Sequence, residues 1–284
     1  MSRVFKNNIN RNLSIFALVA IIISGLGFPP LLTKAQSLSN LNTSSSSSSI
    51  NQNVKFTNLH NKALKEIDKR VKNINDVLVR IPDLKKISDE QKHFIIISLN
   101  SEITLLQTLK TKIFSDQQFD QLTKDVKSLV TEYKTYSIIL TDSYLTITVD
   151  RITEANFKIQ DLSEKLNILI LKEKNSGKDI TNLDKLNNDL MLRIKNTNTQ
   201  INNSLTVILS IKIQDYFNSK TQLIITKEEI KQAFTNLKES REYIKQITNE
   251  LESMKQKENL PLKTIITPSS TSSSSNTSTS FLSR

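Results

Sequence analysis

The sequence predicts an all-α protein: an elongated bundle of about six antiparallel amphipathic helices, or two three-helix bundles sharing an end. Three observations point there. The 284 residues include only three glycines, Gly25, Gly27 and Gly177, so positive-φ turns, hairpins and phosphate-cradling loops have almost nothing to be built from. Apolar residues recur at alternating spacings of three and four across residues 54–258, the rhythm of one buried helix face. Acid-to-base pairs at i,i+4 repeat along the same region: Glu66–Arg70, Asp68–Lys72, Asp76–Arg80, Asp120–Lys124, Glu154–Lys158, Asp161–Lys165 and Asp189–Arg193. An acid N-terminal to a base is the favoured order on a helix.

The first helix carries Leu64, Ile67, Val71, Ile74, Leu78 and Ile81 and stops at Pro82. The second opens at Ser88-Asp89-Glu90-Gln91, a capping box, and carries Ile96, Leu99, Ile103, Leu106, Leu109 or Lys110, and Ile113. The third has Phe119, Leu122, Val126, Leu129, Tyr133, Tyr136 and Leu140. At Thr141-Asp142-Ser143 the apolar phase shifts by about one residue, which predicts a break; one continuous helix is the alternative. The fourth runs from about Tyr144 through Leu145, Val149, Ile152, Ile159, Leu166 and Ile170 and ends at Gly177. Its opening, "YLTITV" (144–149), alternates like a strand, but a lone strand has no partner here, so it is read as helix. The fifth carries Leu183, Leu186, Leu190, Ile194, Ile201, Leu205 and Ile208, and 210–225 reads as a loop with a frayed end of the fifth helix. The sixth opens at Thr226-Lys227-Glu228-Glu229, a second capping box, and continues through Phe234, Leu237, Ile244, Ile247, Leu251 and Met254.

The flanks are of another kind. Arg3, Lys6 and Arg11 precede an apolar run from Leu13 to Phe28, closed by Pro29 and Pro30. With Thr33-Lys34-Ala35 as a small-x-small site, residues 1–35 read as a secretory signal peptide. The alternative is an uncleaved membrane anchor through residues 13–32. Both readings place the remainder outside the cytoplasm, secreted or at the cell envelope. Residues 36–53 are a Ser/Asn-rich linker and 259–284 a Ser/Thr-rich tail; both bury too little apolar surface to offset ordering entropy and read as disordered.

Little points to catalysis. His60 and His93 are the only histidines and lie far apart. No H-E-x-x-H, G-x-S-x-G, Walker or EF-hand pattern occurs, and cysteine is absent. No catalytic, cofactor-binding or metal-binding residue is therefore assigned, and a non-enzymatic role is expected. Tyr133 and Tyr136 fall on an apolar stripe and read as core. "LPLKT" (260–264) fails as a sorting motif because Lys263 sits where threonine is required. Net charge is +11 but spread out, and no nucleic-acid partner is expected. The one local feature is Lys62, Lys65, Lys69 and Lys72, at 3-4-3 spacing on the first helix beside its core stripe. They form a candidate contact strip for an anionic envelope polymer or lipid, against the plainer reading of a solvated helix flank.

The stretches "KEIDKRVKNINDVLVRIPDLKKISDEQK", "LNSEITLLQTLKTKI" and "DQLTKDVKSLVTEYKTY" resemble an uncharacterised family of exported, coiled-coil-like helical proteins of small-genome candidate-phylum bacteria. The resemblance covers about 62–136 well and 150–255 more loosely; the β-branched 138–152 segment departs from it. It implies an exported bacterial helical protein and no activity, cofactor or site residue. The expected function is a structural or protein-interaction module at the bacterial cell envelope, with a protein partner or self-association. A polyanion- or lipid-surface-binding protein using the basic face of the first helix is the alternative.

Overall fold

A computed structural model describes residues 49–211 and 215–258. Among these residues there are five helices and no strand: α1 (Ser49–Leu78), α2 (Asp89–Ser115), α3 (Phe119–Asn175), α4 (Thr181–Ser210) and α5 (Tyr216–Glu258). Residues 1–35, read as a signal or anchor, and 259–284, read as a tail, lie outside the described residues. α1 begins at Ser49, inside the segment read as linker.

The predicted break at 141–143 is absent. α3 is one helix of 57 residues, about 85 Å long at 1.5 Å per residue. Two hydrophobic cores are strung along it. The first joins α1, α2 and the N-terminal half of α3 through residues such as Ile67, Ile74, Leu99, Leu106, Leu122 and Leu129. The second joins the C-terminal half of α3 to α4 and α5 through Ile152, Ile170, Leu183, Leu190, Leu237 and Ile247.

The phase shift has a different cause from a break. In the overlap zone, Tyr136, Ile139, Leu140 and Ile147 belong to the first core, while Ile138, Leu145, Val149 and Ile152 belong to the second. At about 100° per residue these two sets occupy opposite faces of one helix. The apolar stripe changes face because the neighbours change face. The strand-like alternation of "YLTITV" has the same origin: Leu145 and Val149 point one way and Ile147 the other. The intervening Thr146 and Thr148 hydroxyls donate to the carbonyls of Asp142 and Tyr144 at 2.9 and 2.8 Å, which satisfies these β-branched polar residues within the helix.

Several ends follow the sequence. Ser88 caps α2 in a reciprocal capping box with Gln91. Gly177, at φ 78°, follows α3, where the N–H groups of Gly177 and Lys178 return to the carbonyls of Lys174 and Glu173. That is a Schellman ending, and its left-handed residue favours glycine. The 210–225 loop and the Thr226 cap are overturned. α5 starts at Tyr216, and Asp215 accepts the backbone N–H of Asn218 at 3.2 Å, acting as the cap. Thr226 is fully buried inside the helix and donates to the carbonyl of Gln222. A hydroxyl bonded back to i−4 stands in for the capping geometry that its sequence neighbourhood suggests.

Candidate functional site

Two places on this scaffold combine charge with access: the outer face of α1 and the junction where the two cores overlap on α3.

On α1, Lys62, Lys65, Lys69 and Lys72 are all exposed. They lie farther from the core than their spacing suggests. The buried line is Ala63, Ile67, Arg70, Ile74 and Val77, while Leu64 and Val71 are only half-buried. The stripe has turned because an arginine goes inside. Arg70 is 3 % exposed and donates to Glu66 and to the backbone carbonyl of Leu129 on α3 at 3.0 Å. Its guanidinium also lies over the Tyr133 and Tyr136 rings at 4.9 and 5.3 Å. The two tyrosines are core residues as expected, and they also hold a cation. Burial pushes the Tyr136 hydroxyl up to about 12, and that hydroxyl accepts from Asn73.

Few of the predicted surface pairs form. Glu66–Arg70 and Glu154–Lys158 do; Asp68 reaches across to Lys110 on α2, and Arg193 to Glu239 on α5. Packing partners have displaced local ones, leaving Lys72 without its expected acid. The histidines also part company. His93 is exposed on α2, whereas His60 sits half-buried between Phe56 and Phe114, stacked at 5.8 Å on the former and tilted at 6.4 Å to the latter. Among the described residues no cluster of three or more histidine or acidic side chains could hold a metal ion. No helix among them is long and apolar enough to cross a membrane.

The junction is built differently. The α1–α2 loop is tied to α3 by Asp150, whose buried carboxylate accepts the backbone N–H groups of Lys85 and Lys86. Glu154 adds ion pairs to Lys158 at 2.8 Å and Lys85 at 3.2 Å, which hold its carboxyl below the ordinary glutamate range. This latch positions the start of α2 against the middle of α3. From the other side, the C-terminal turns of α4 close in. The α3 strip between the two cores, Ile138, Ile139, Ser143 and Thr146, is buried, with α2 on one side and α4 on the other. It opens into a cleft of ≈ 380 Å³, walled by Phe94 and Ile95 of α2 and by Ile208 and Leu209 of α4, with Glu90 at the start of α2 and Asp142 on α3.

Asp142 is the chemical centre of that cleft. Its Oδ1 is shut off from solvent and has no hydrogen-bond partner. Burial pushes its carboxyl up to about 7. A second carboxyl behaves likewise inside the first core. Glu102 on α2 is 2 % exposed, its Oε1 is also without a partner, and burial, with Glu132 nearby, pushes it up to about 7. Sequence reasoning misses both. Glu102 holds a place in the buried series 95, 99, 102, 106, 109 and 113, but an acid in a helix pattern reads as surface. Asp142 lies in the stretch whose phase shift predicts a break.

Comparison with protein-family models, with curated proteins and with solved structures finds no match for this chain.

Proposed function

We propose that this protein is an exported, non-enzymatic helical module of the cell envelope that holds a protein partner, or a second copy of itself, along a stiff rod. The observation that carries the reading is α3: one 57-residue helix shared by two cores. A shared helix couples two units without a linker, so that binding surfaces on each keep a fixed separation. We read each unit as an up-down-up set of antiparallel neighbours. Contacts between α1 and α2 pair early residues with late ones, as His60 with Phe114, while those between α1 and α3 rise together, as Arg70 with Leu129 and Asn73 with Tyr136. In the second unit Asn182 meets Glu250 and Ser204 meets Glu229, the opposite sense that neighbouring helices in such a set require. Large apolar side chains stand exposed on both units, among them Phe114 at 73 % and Ile168 at 67 %. Such residues are where a partner would bury surface. A photo-crosslinking residue placed at Phe114 or Ile168 in the native envelope is expected to give discrete protein adducts. The same residue at exposed Lys195 serves as control. Equal or absent adducts at all three positions would contradict the reading.

A second reading has its own support. Lys62, Lys65, Lys69 and Lys72 are exposed, and the acids among them on α1 turn elsewhere, Glu66 to Arg70 and Asp68 to Lys110. In this reading the outer face of α1 lies on an anionic lipid or polymer surface. Co-sedimentation with anionic vesicles should then fall steeply between low and physiological salt, through screening and counterion release. Changing the four lysines to glutamine should weaken it without loss of helicity. Equal sedimentation with neutral and anionic vesicles would remove this reading.

A further inference from the structure

On a chain of net charge +11, the junction cleft is acidic. Its walls are apolar side chains from α2, α3 and α4; among the described residues the titratable groups lining it are both acids, Asp142 and Glu90, and no lysine, arginine or histidine lines it. The two acids are set at different depths. Glu90 is exposed in the first turn of α2, where backbone and Ser88 hydrogen bonds hold its carboxyl below the ordinary range. Asp142 lies at the apolar wall with Oδ1 closed to water and unpartnered. Its neighbours do not rescue it: the Ser143 hydroxyl donates to the carbonyl of Ile139, and the Thr146 hydroxyl to the backbone carbonyl of Asp142 itself. With one oxygen buried and unpartnered, the carboxyl has little to favour its ionised form, and a cation docked against it from the cleft supplies what is missing.

We propose that the cleft between α2, the middle of α3 and the end of α4 is a binding site for a small amphiphilic amine, its alkyl body lying against Phe94, Ile95, Ile208 and Leu209 and its ammonium donating to Asp142. The cavity of ≈ 380 Å³ falls in the roughly 300–1,000 Å³ range of small-molecule sites. Charge selects the head group. A carboxylate or phosphate head would face two acids, and a neutral alcohol would meet the Asp142 carboxyl without the charge assistance that makes ammonium–carboxylate hydrogen bonds about twice as strong. The carboxyl of Asp142 is held up near 7 by burial. Docking an ammonium against it favours the ionised form, so binding at neutral pH releases a proton. Affinity for the amine therefore rises as pH increases through 7, whereas that for an uncharged analogue does not. The proposal shares the unbroken α3 with the rod reading but needs neither a protein partner nor an envelope location, so its failure leaves that reading standing.

Calorimetric titration of the full-length chain with octylamine, octanol and octanoate tests it. Octylamine, protonated throughout the range, is expected to bind most tightly, with affinity increasing from pH 6 to pH 8 and proton release between buffers of different ionisation heat. Asp142→Asn keeps the shape of the side chain and removes its charge. It should weaken octylamine by about tenfold or more while leaving octanol unchanged, since charge-assisted bonds carry the difference. Ser98→Phe, which fills the cleft from α2, should weaken all apolar-tailed ligands together. The wild-type ranking and its pH profile test the charge argument without any variant. No octylamine binding, equal binding of the three ligands, or octylamine affinity unmoved by Asp142→Asn would each overturn the proposal.

Discussion

Asp142 and Glu102 are carboxyls held where their ionised forms are unwelcome, and stability should depend on pH accordingly. In the unfolded chain such groups release their protons near pH 4. In the folded protein both keep theirs up to about 7. Between those values the folded state binds more protons, so stability falls as pH rises from about 4 to about 7 and levels off above it. The carboxyls held low, Glu90, Glu154 and Asp179, act in the opposite sense, but only below the ordinary carboxylate range. Urea denaturation is therefore expected to give a higher midpoint at pH 5 than at pH 8. Asp142→Asn and Glu102→Gln should each raise the midpoint at pH 8 and flatten the profile. A midpoint that climbs from pH 5 to pH 8, with no response to either substitution, would contradict these placements. Neither residue is legible as special in the sequence. An acid on a helical wheel is normally a surface residue, and only the neighbours supplied by folding show that its face is covered. Arg70 is hidden for the same reason: the partners that make its burial tolerable, Leu129, Tyr133 and Tyr136, come from another helix.

The helices themselves are legible where local chemistry decides. The Ser88 capping box, the Gly177 ending and the long stripes depend on residues within a turn or two of one another. The misreadings share one cause, which is that a local signal competes with packing and loses. Thr226 sits in a valid capping sequence, yet Leu223 and Ile230 on either side are buried, and the helix runs through. The cap belongs to Asp215 instead. Two substitutions separate these accounts. Asp215→Ala should cost about 0.5–2 kcal/mol in thermal or urea denaturation through the lost cap. Thr226→Val keeps the buried volume and removes a hydroxyl bonded only to its own helix, so it should leave the midpoint nearly unchanged. A loss for Thr226→Val as large as that expected for Asp215→Ala would return the cap to Thr226. The same competition explains 141–143: the phase of an apolar stripe follows a helix's neighbours, and a change of neighbours looks like a break.

At the scale of the whole molecule, α3 passes unbroken from one core to the other, and both the cleft and the rod depend on it. The cleft exists because the cores sit on opposite faces of one helix, and the rod reading needs the two units to keep their spacing. The absence of cysteine makes this directly measurable, because two introduced cysteines can be spin-labelled alone. Lys124 and Lys165 are exposed and flank the overlap zone on α3. Electron–electron dipolar spectroscopy on a Lys124→Cys, Lys165→Cys variant is expected to show a single narrow distance near ~60 Å, the length of continuous helix between them at 1.5 Å per residue. A substantially shorter distance, or a broad or two-peaked distribution, would mean that the chain turns at 141–143 and would contradict the shared helix.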